Sequence, residues 1–218
     1  MMSKHEILPE RKAILDLARG RSCLVLGPLG TYERYRPAEL GGGGCQEEWD
    51  FAYLTKIAAR LVGLDNEQRL VLMAREDGFN IQLGDAESHQ FAEKFDVILA
   101  LHIIEHLGHP LALLQNAARN LNPGGILVVE TPNPFSIQSI ACGLIRGYAH
   151  LEPTHTCWID ARHALELGRR ANLSLRKVTY YTAIDCRRPS YIVRSHLYAA
   201  ISKCVPRLGS NVVFHFTE

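Results

Sequence analysis

The stretch Phe95 to Pro110, "FDVILALHIIEHLGHP", opens on an almost wholly apolar run and then turns abruptly polar. An apolar run of that kind, with no polar face, reads as a strand covered on both sides, as inside a parallel sheet. Behind it come His102, Glu105, His106 and His109. Polar side chains directly after a buried strand need a reason, because burying them without partners is costly. They fall where the chain leaves the sheet, which is where open α/β sheets bind ligands.

The pattern repeats on either side. "SCLVLG" (22–27), "RLVGLD" (60–65) and "NIQLGD" (80–85) read as three earlier strands, and "ILVVE" (126–130) as a fifth. Helical spacing appears in "EEWDFAYLTKIA" (47–58), "EQRLVLMARE" (67–76) and "LALLQNAARNL" (111–121), and "NPGG" (122–125) reads as a turn;. Later come a helix at 135–148, a helix opened by Asp160 as N-cap, a strand at 174–183, a helix at 190–205 and a last strand at 211–217;. Strands alternating with helices predict an α/β fold: a Rossmann-like three-layer sandwich with a mostly parallel seven-stranded sheet, the last strand antiparallel. The 218 residues predict a single domain over 1–218, with an N-terminal helix in 1–20 and an accessory acceptor-site segment at 133–160;.

Composition excludes several classes. A formal net charge of +1 gives no field that would draw the chain to nucleic acid or an anionic membrane;. The six cysteines form no CxxC pair, so a zinc knuckle or dithiol site is not expected;. No signal pattern opens the sequence and no apolar run reaches the roughly 20 residues that span a bilayer. The expectation is a cytoplasmic protein with free thiols, no membrane partner and no nucleic-acid partner. Gly41 to Gly44 reads as part of a surface loop, and Arg187-Arg188 as a solvated one;.

An acid ending the second strand can accept ribose hydroxyls, and Asp65 stands there;. "GPLG" (27–30) carries fewer glycines than a pyrophosphate loop requires;. That favours a nucleoside without phosphates, such as S-adenosylmethionine, over a nicotinamide dinucleotide.

"VGLD", "GDAES" and "EKFDVILALHIIEHLGHPLALLQNAARNLNPGGILVVETPN" together resemble the core of class I S-adenosylmethionine-dependent methyltransferases, and most of all the small-molecule, ubiquinone-type O-methyltransferase branch. The resemblance covers roughly 60–172, and more weakly 20–30. "HLEPTHTCWIDARHALELGRRANL" is similar to that branch's acceptor-pocket segment. The resemblance implies roles at matching positions. Gly27 and Gly30 correspond to the loop against which the methionine part of the cofactor lies. Asp65 corresponds to the ribose acid, Asp85 to the acid that receives the adenine amino group, and Ala86 to a backbone N–H facing the ring. Leu101 and His102 correspond to residues that touch the cofactor and face the acceptor. Val25 stands where the family usually carries an acid that braces the glycine loop.

The polar cluster after the fourth strand has three readings. Glu105 and His106 can simply close the loop. His102 or His106 can act as a general base, as can His155 in the irregular segment that also holds His150. Or His102, Glu105 and His106 can hold a divalent metal, as E-x-x-E-H does in metal-using relatives, with histidine here in the first position. The implied reaction is in-line methyl transfer to an oxygen of a small molecule, ahead of nitrogen or carbon. A metal-dependent RNA 2′-O-methyltransferase, a nicotinamide dehydrogenase and a non-catalytic methyltransferase-like scaffold are the alternatives.

Overall fold

The structure, a computed structural model, describes residues 9–35, 49–147, 152–183 and 189–218. Gly41 to Gly44, His150 and Arg187-Arg188 lie outside the described residues.

In chain order the elements are α1 (Pro9–Leu15), β1 (Ser22–Leu26), α2 (Tyr32–Tyr35), α3 (Asp50–Ile57), β2 (Arg60–Asp65), α4 (Gln68–Glu76), β3 (Ile81–Leu83) and β4 (Phe95–Leu101). They continue with α5 (Pro110–Asn120), β5 (Leu121–Pro132), α6 (Ile137–Arg146), α7 (Ala161–Arg170), β6 (Ser174–Tyr181), α8 (Pro189–Cys204) and β7 (Asn211–Thr217). The seven strands form one sheet in the order β3-β2-β1-β4-β5-β7-β6. All pairings through β5 are parallel, and β7 runs antiparallel to both neighbours, as the sequence predicts.

The strand reading of 95–101 is borne out residue for residue. Val97, Ile98, Leu99 and Ala100 are fully buried, and they alternate between two apolar clusters on opposite faces of the sheet. That two-residue alternation is the pleat itself. One cluster packs Leu113, Leu114 and Ala117 of α5 and Ala164 of α7 against Ile98, Leu127 and Phe214. The other packs Ile14 and Leu15 of α1, Phe51 and Leu54 of α3, and Val71 and Ala74 of α4 against Val25, Val97 and Leu99. Three layers result.

Several expected boundaries move. The expected N-terminal helix of 1–20 is, among described residues, α1 followed by one 3-10 turn at Asp16–Ala18. The third strand stops at Leu83: the Gly84 N–H makes the last ladder bond, to the Asp65 carbonyl (3.0 Å), and Asp85 begins a turn closed by the Ser88 N–H. The expected turn at 122–125 is an outward bulge within β5. Phe95 pairs with Leu121 but Val97 already pairs with Ile126. Gly124, at φ +76°, supplies the left-handed residue this bulge needs, and Asn122 Nδ2 ties it to Asp96 Oδ1 at 2.8 Å;. Among the described residues no helix is long and apolar enough to cross a membrane, and Cys23, Cys142, Cys157 and Cys204 are free thiols.

Candidate active site

The carboxyl ends of the parallel strands make two adjoining half-sites. The first lies at β1, β2 and β3. Leu26 ends β1, and Gly27 follows at φ +66° with its N–H on the Leu64 carbonyl (2.8 Å). A Cβ on Gly27 would stand 2.8 Å from Ile103 Cδ1, so glycine is required by conformation and by space;. Gly30 has open space around it and no such constraint. Trp49 covers the loop, donating from Nε1 to the Pro28 carbonyl at 3.2 Å.

Asp65 ends β2, nearly buried. Its Oδ2 accepts the Leu29 N–H at 2.9 Å and its Oδ1 accepts the Glu67 N–H at 3.1 Å. Leu29 itself is fully buried. Asp65 thus braces the glycine loop, the task for which Val25, buried in the core, has no group. Each carboxylate oxygen has a second lone pair, so Asp65 keeps acceptor capacity for a ribose hydroxyl. Asp85 is exposed, and its Oδ1 accepts the Glu67-equivalent donor of its own turn, the Glu87 N–H, at 2.9 Å. Ala86 beside it is buried, its carbonyl held by Asn116 Nδ2 at 3.0 Å. Asp65 pairs in register with Leu83, so both acids leave adjacent strands at one rim. A bare glycine backbone, a carboxylate with spare acceptor capacity and an exposed second carboxylate fit an adenosine bearing a cationic sulfur.

The second half-site lies at β4 and β5. Leu101 pairs with Glu130, and His102 follows at φ +56°, a left-handed conformation that costs a non-glycine residue about 1–2 kcal/mol;. Three contacts hold it there. Its N–H donates to the Glu130 carbonyl (2.9 Å), Nε2 lies 2.9 Å from Glu130 Oε1, and Nδ1 lies 3.2 Å from Glu105 Oε1. Glu130 is fully buried and also receives Asn211 Nδ2 (3.0 Å), the Tyr181 hydroxyl and the Arg11 guanidinium. Arg11 Nε reaches Asp50 Oδ2 at 2.8 Å. Burial works against charge on Glu130, but Arg11, His102 and the Tyr181 hydroxyl outweigh it and hold its pKa down at about 2. Burial likewise works against charge on His102, but the Glu130 and Glu105 carboxylates raise its pKa to about 9. The outer part of the His102 ring still meets solvent, 38% of the side chain being exposed, and the two carboxylates favour the imidazolium form at neutral pH;.

In that geometry both ring nitrogens of His102 face carboxylates, Nδ1 toward Glu105 and Nε2 toward Glu130. The three potential ligands that do approach, with donor atoms all within 4.8 Å, are Glu105, His106 and His155. Glu105 Oε1 is engaged by His102, however, and Oε2 accepts the Thr131 hydroxyl at 3.0 Å. A cation there would share these oxygens with their donors, each oxygen keeping a second lone pair.

His155 is the distinctive member. Its ring packs edge-on to His106, centroids 4.7 Å apart, and its buried Nδ1 has no hydrogen-bond partner among the described residues. Burial lowers its pKa. It lines a narrow cavity with Glu105, Thr131, Asn133, Cys157 and Trp158. Cys157 and Trp158 also wall a second hollow of about 370 Å³ that runs to Leu111 and Leu167. His106 is exposed, with Nδ1 3.3 Å from the Thr154 carbonyl.

Sequence reasoning missed Arg11, Glu130, Tyr181 and Asn211. One signal was available: Glu130 is a charged residue closing the otherwise apolar "ILVVE".

A family model described as a methyltransferase domain matches residues 43–178. The chain belongs to the methyltransferase domain family. This methyltransferase domain is 30% identical over 110 residues to a ubiquinone biosynthesis O-methyltransferase of Cereibacter sphaeroides, covering 47% of the chain and 43% of that protein. It is 30% identical over 157 residues to the Azorhizobium caulinodans protein of the same name, covering 66% of the chain and 59% of that protein. The chain thus spans about half the length of these curated relatives. Among solved structures, a SAM-dependent methyltransferase from Archaeoglobus fulgidus superposes with a TM-score of 0.61 at 16% identity, covering 95% of this chain and 90% of that one. That likeness supports the class I methyltransferase fold.

Proposed function

We propose that this methyltransferase domain transfers the methyl group of S-adenosylmethionine to an oxygen of a small molecule. The observation that carries the reading is the adjacency of the two half-sites. Gly27, Asp65 and Asp85 offer a nucleoside rim at β1 to β3, and an unpartnered buried imidazole nitrogen lines the cavity beside β4 and β5. The O-methyltransferase names of the relatives support oxygen as the acceptor atom.

When bound, the cofactor supplies an already activated methyl group. The chain's residues supply position and proton handling. Asp65 and Asp85 would hold the nucleoside, and the turn at Leu101-His102 would border the cofactor on the acceptor side. The segment 133–160 contributes Asn133, Ser139, Cys157 and Trp158 to the acceptor's walls. Holding two reactants in line can supply roughly 7–11 kcal/mol of barrier reduction. His155 takes the hydroxyl proton, because its lowered pKa keeps the ring neutral at pH 7 and its Nδ1 is free to accept;.

Calorimetry and a radiolabelled methyl assay test the reading. S-adenosylmethionine should bind, and label should pass to phenolic hydroxyls in preference to amines. His155→Ala should keep cofactor binding while cutting the rate by about 10²–10⁴. No binding up to millimolar cofactor would overturn the proposal in favour of a non-catalytic scaffold.

A further inference from the structure

We propose that Glu130 is a positioning residue of the methyl-transfer site: it fixes the backbone turn and ring of His102, and Arg11, Tyr181 and Asn211 fix Glu130 in turn. The proposal rests on the methyl-transfer reading above and deepens it.

His102 occupies a backbone region that non-glycine residues seldom adopt;. Such a residue persists where its surroundings over-determine it. Two of its three holding contacts come from Glu130, one through the backbone carbonyl and one through Oε1. The third comes from Glu105, three residues on in the same turn. Glu130 is itself immobilised from separate elements: Arg11 of α1, Tyr181 at the end of β6 and Asn211 at the start of β7. One buried carboxylate therefore ties the N-terminal helix and the antiparallel end of the sheet to the residue that follows β4.

The charged and titratable groups around His102 are Glu105 in its own turn, Glu130 on β5 with Arg11 and Tyr181 behind it, Asp50 of α3 behind Arg11, and His106 and His155 across the cavity. With both ring nitrogens facing carboxylates, His102 is left with two tasks, holding a shape and carrying a charge. The shape is that of the turn which, on the methyl-transfer reading, would border the bound cofactor. Arg11 makes the N-terminal helix part of the site, since Glu130 without it would face His102 with one buried cation fewer.

The test compares the cofactor-free wild type with Glu130→Gln and with the charge-balanced pair Arg11→Met/Glu130→Gln, which removes a buried anion and cation together. Nitrogen-15 NMR reads the His102 ring, and calorimetry reads S-adenosylmethionine affinity. The wild type should show both ring nitrogens protonated at pH 7.5. The variants should show the ring titrating at lower pH than in the wild type, with affinity lower by about tenfold. Asp96→Asn is the control. It loosens the opposite end of β4, where Asp96 holds Ser22 and Asn122, and should lower thermal stability while leaving ring and affinity unchanged. If the single variant does not fold, the paired one carries the test. An unchanged ring signal in a folded variant would overturn the proposal, as would an equal shift in Asp96→Asn. Failure of the wild type to bind cofactor would instead overturn the methyl-transfer reading, and the two failures are distinguishable because the ring is read without cofactor.

Discussion

The two halves of the site are built differently. At β1 to β3, the groups are set by backbone at the strand ends: Gly27 by its left-handed turn, Asp85 by the turn it opens toward Glu87, and Asp65 by the N–H groups of Leu29 and Glu67. At β4 and β5, apart from the His102–Glu105 contact within one turn, the groups come from distant parts of the chain. Glu130 meets Arg11 from 119 residues away, Tyr181 from 51 and Asn211 from 81. The first half is a strand-end motif and the second is a convergence of buried charge. Local motifs dispose of their polar groups as soon as the chain turns. A convergence depends on the whole sheet being in register, and it fails as a unit.

The largest expected effect breaks the second half. Glu130→Ala takes the shared buried carboxylate from Arg11 and His102, leaving them Asp50 and Glu105, and loss of one partner of a buried pair typically costs about 3–5 kcal/mol;. Urea unfolding should show a loss of that size, whereas a drop below about 1 kcal/mol would mean the knot contributes little. Next comes Asp65→Ala, which acts on the first half. It should weaken S-adenosylmethionine binding by about 10- to 100-fold, the worth of a hydrogen bond to a charged group, as read by calorimetry. Asp85→Ala, on an exposed group, should do less. Smaller again is Gly27→Ala, which forces a Cβ onto a left-handed backbone against Ile103. It should cost about 1–2 kcal/mol in the same unfolding assay, more if Ile103 cannot yield.

The pH dependence sharpens the contrast further. Glu130 titrates at about 2 in the folded protein, below its ordinary 4.5, so its contribution is complete above about pH 4.5 and lost as pH falls toward 2;. His102 is shifted upward from 6.5 to about 9, so its contribution is complete below about pH 6.5 and lost as pH rises through 9;. Urea midpoints should therefore peak between about pH 4.5 and 6.5 in the wild type, and the alkaline decline should flatten in Glu130→Gln.

What the sequence disclosed follows the same division. The apolar alternation of 95–101 and the acids at 65 and 85 follow from strand period and strand ends, and the sheet forms around them as read;. Tyr180 and Tyr181 face opposite sides of the sheet, as alternation requires, and the Tyr181 hydroxyl meets Glu130. In the sequence His102 reads as a base or a ligand. Its spacing from Glu105 and His106 is visible in the sequence, whereas the carboxylate that occupies it lies on the neighbouring strand. The role of Asp65 in bracing the loop was equally hidden, although the missing acid at Val25 marked the place.

A crystal structure with S-adenosylhomocysteine bound tests the central claim most directly. The ribose should hydrogen-bond to Asp65, the adenine should lie beside Asp85 and Ala86, and the sulfur should point toward the His102 turn and the His155 cavity. A nucleoside seated elsewhere, or a rim filled by the protein's own side chains with the ligand excluded, would contradict it.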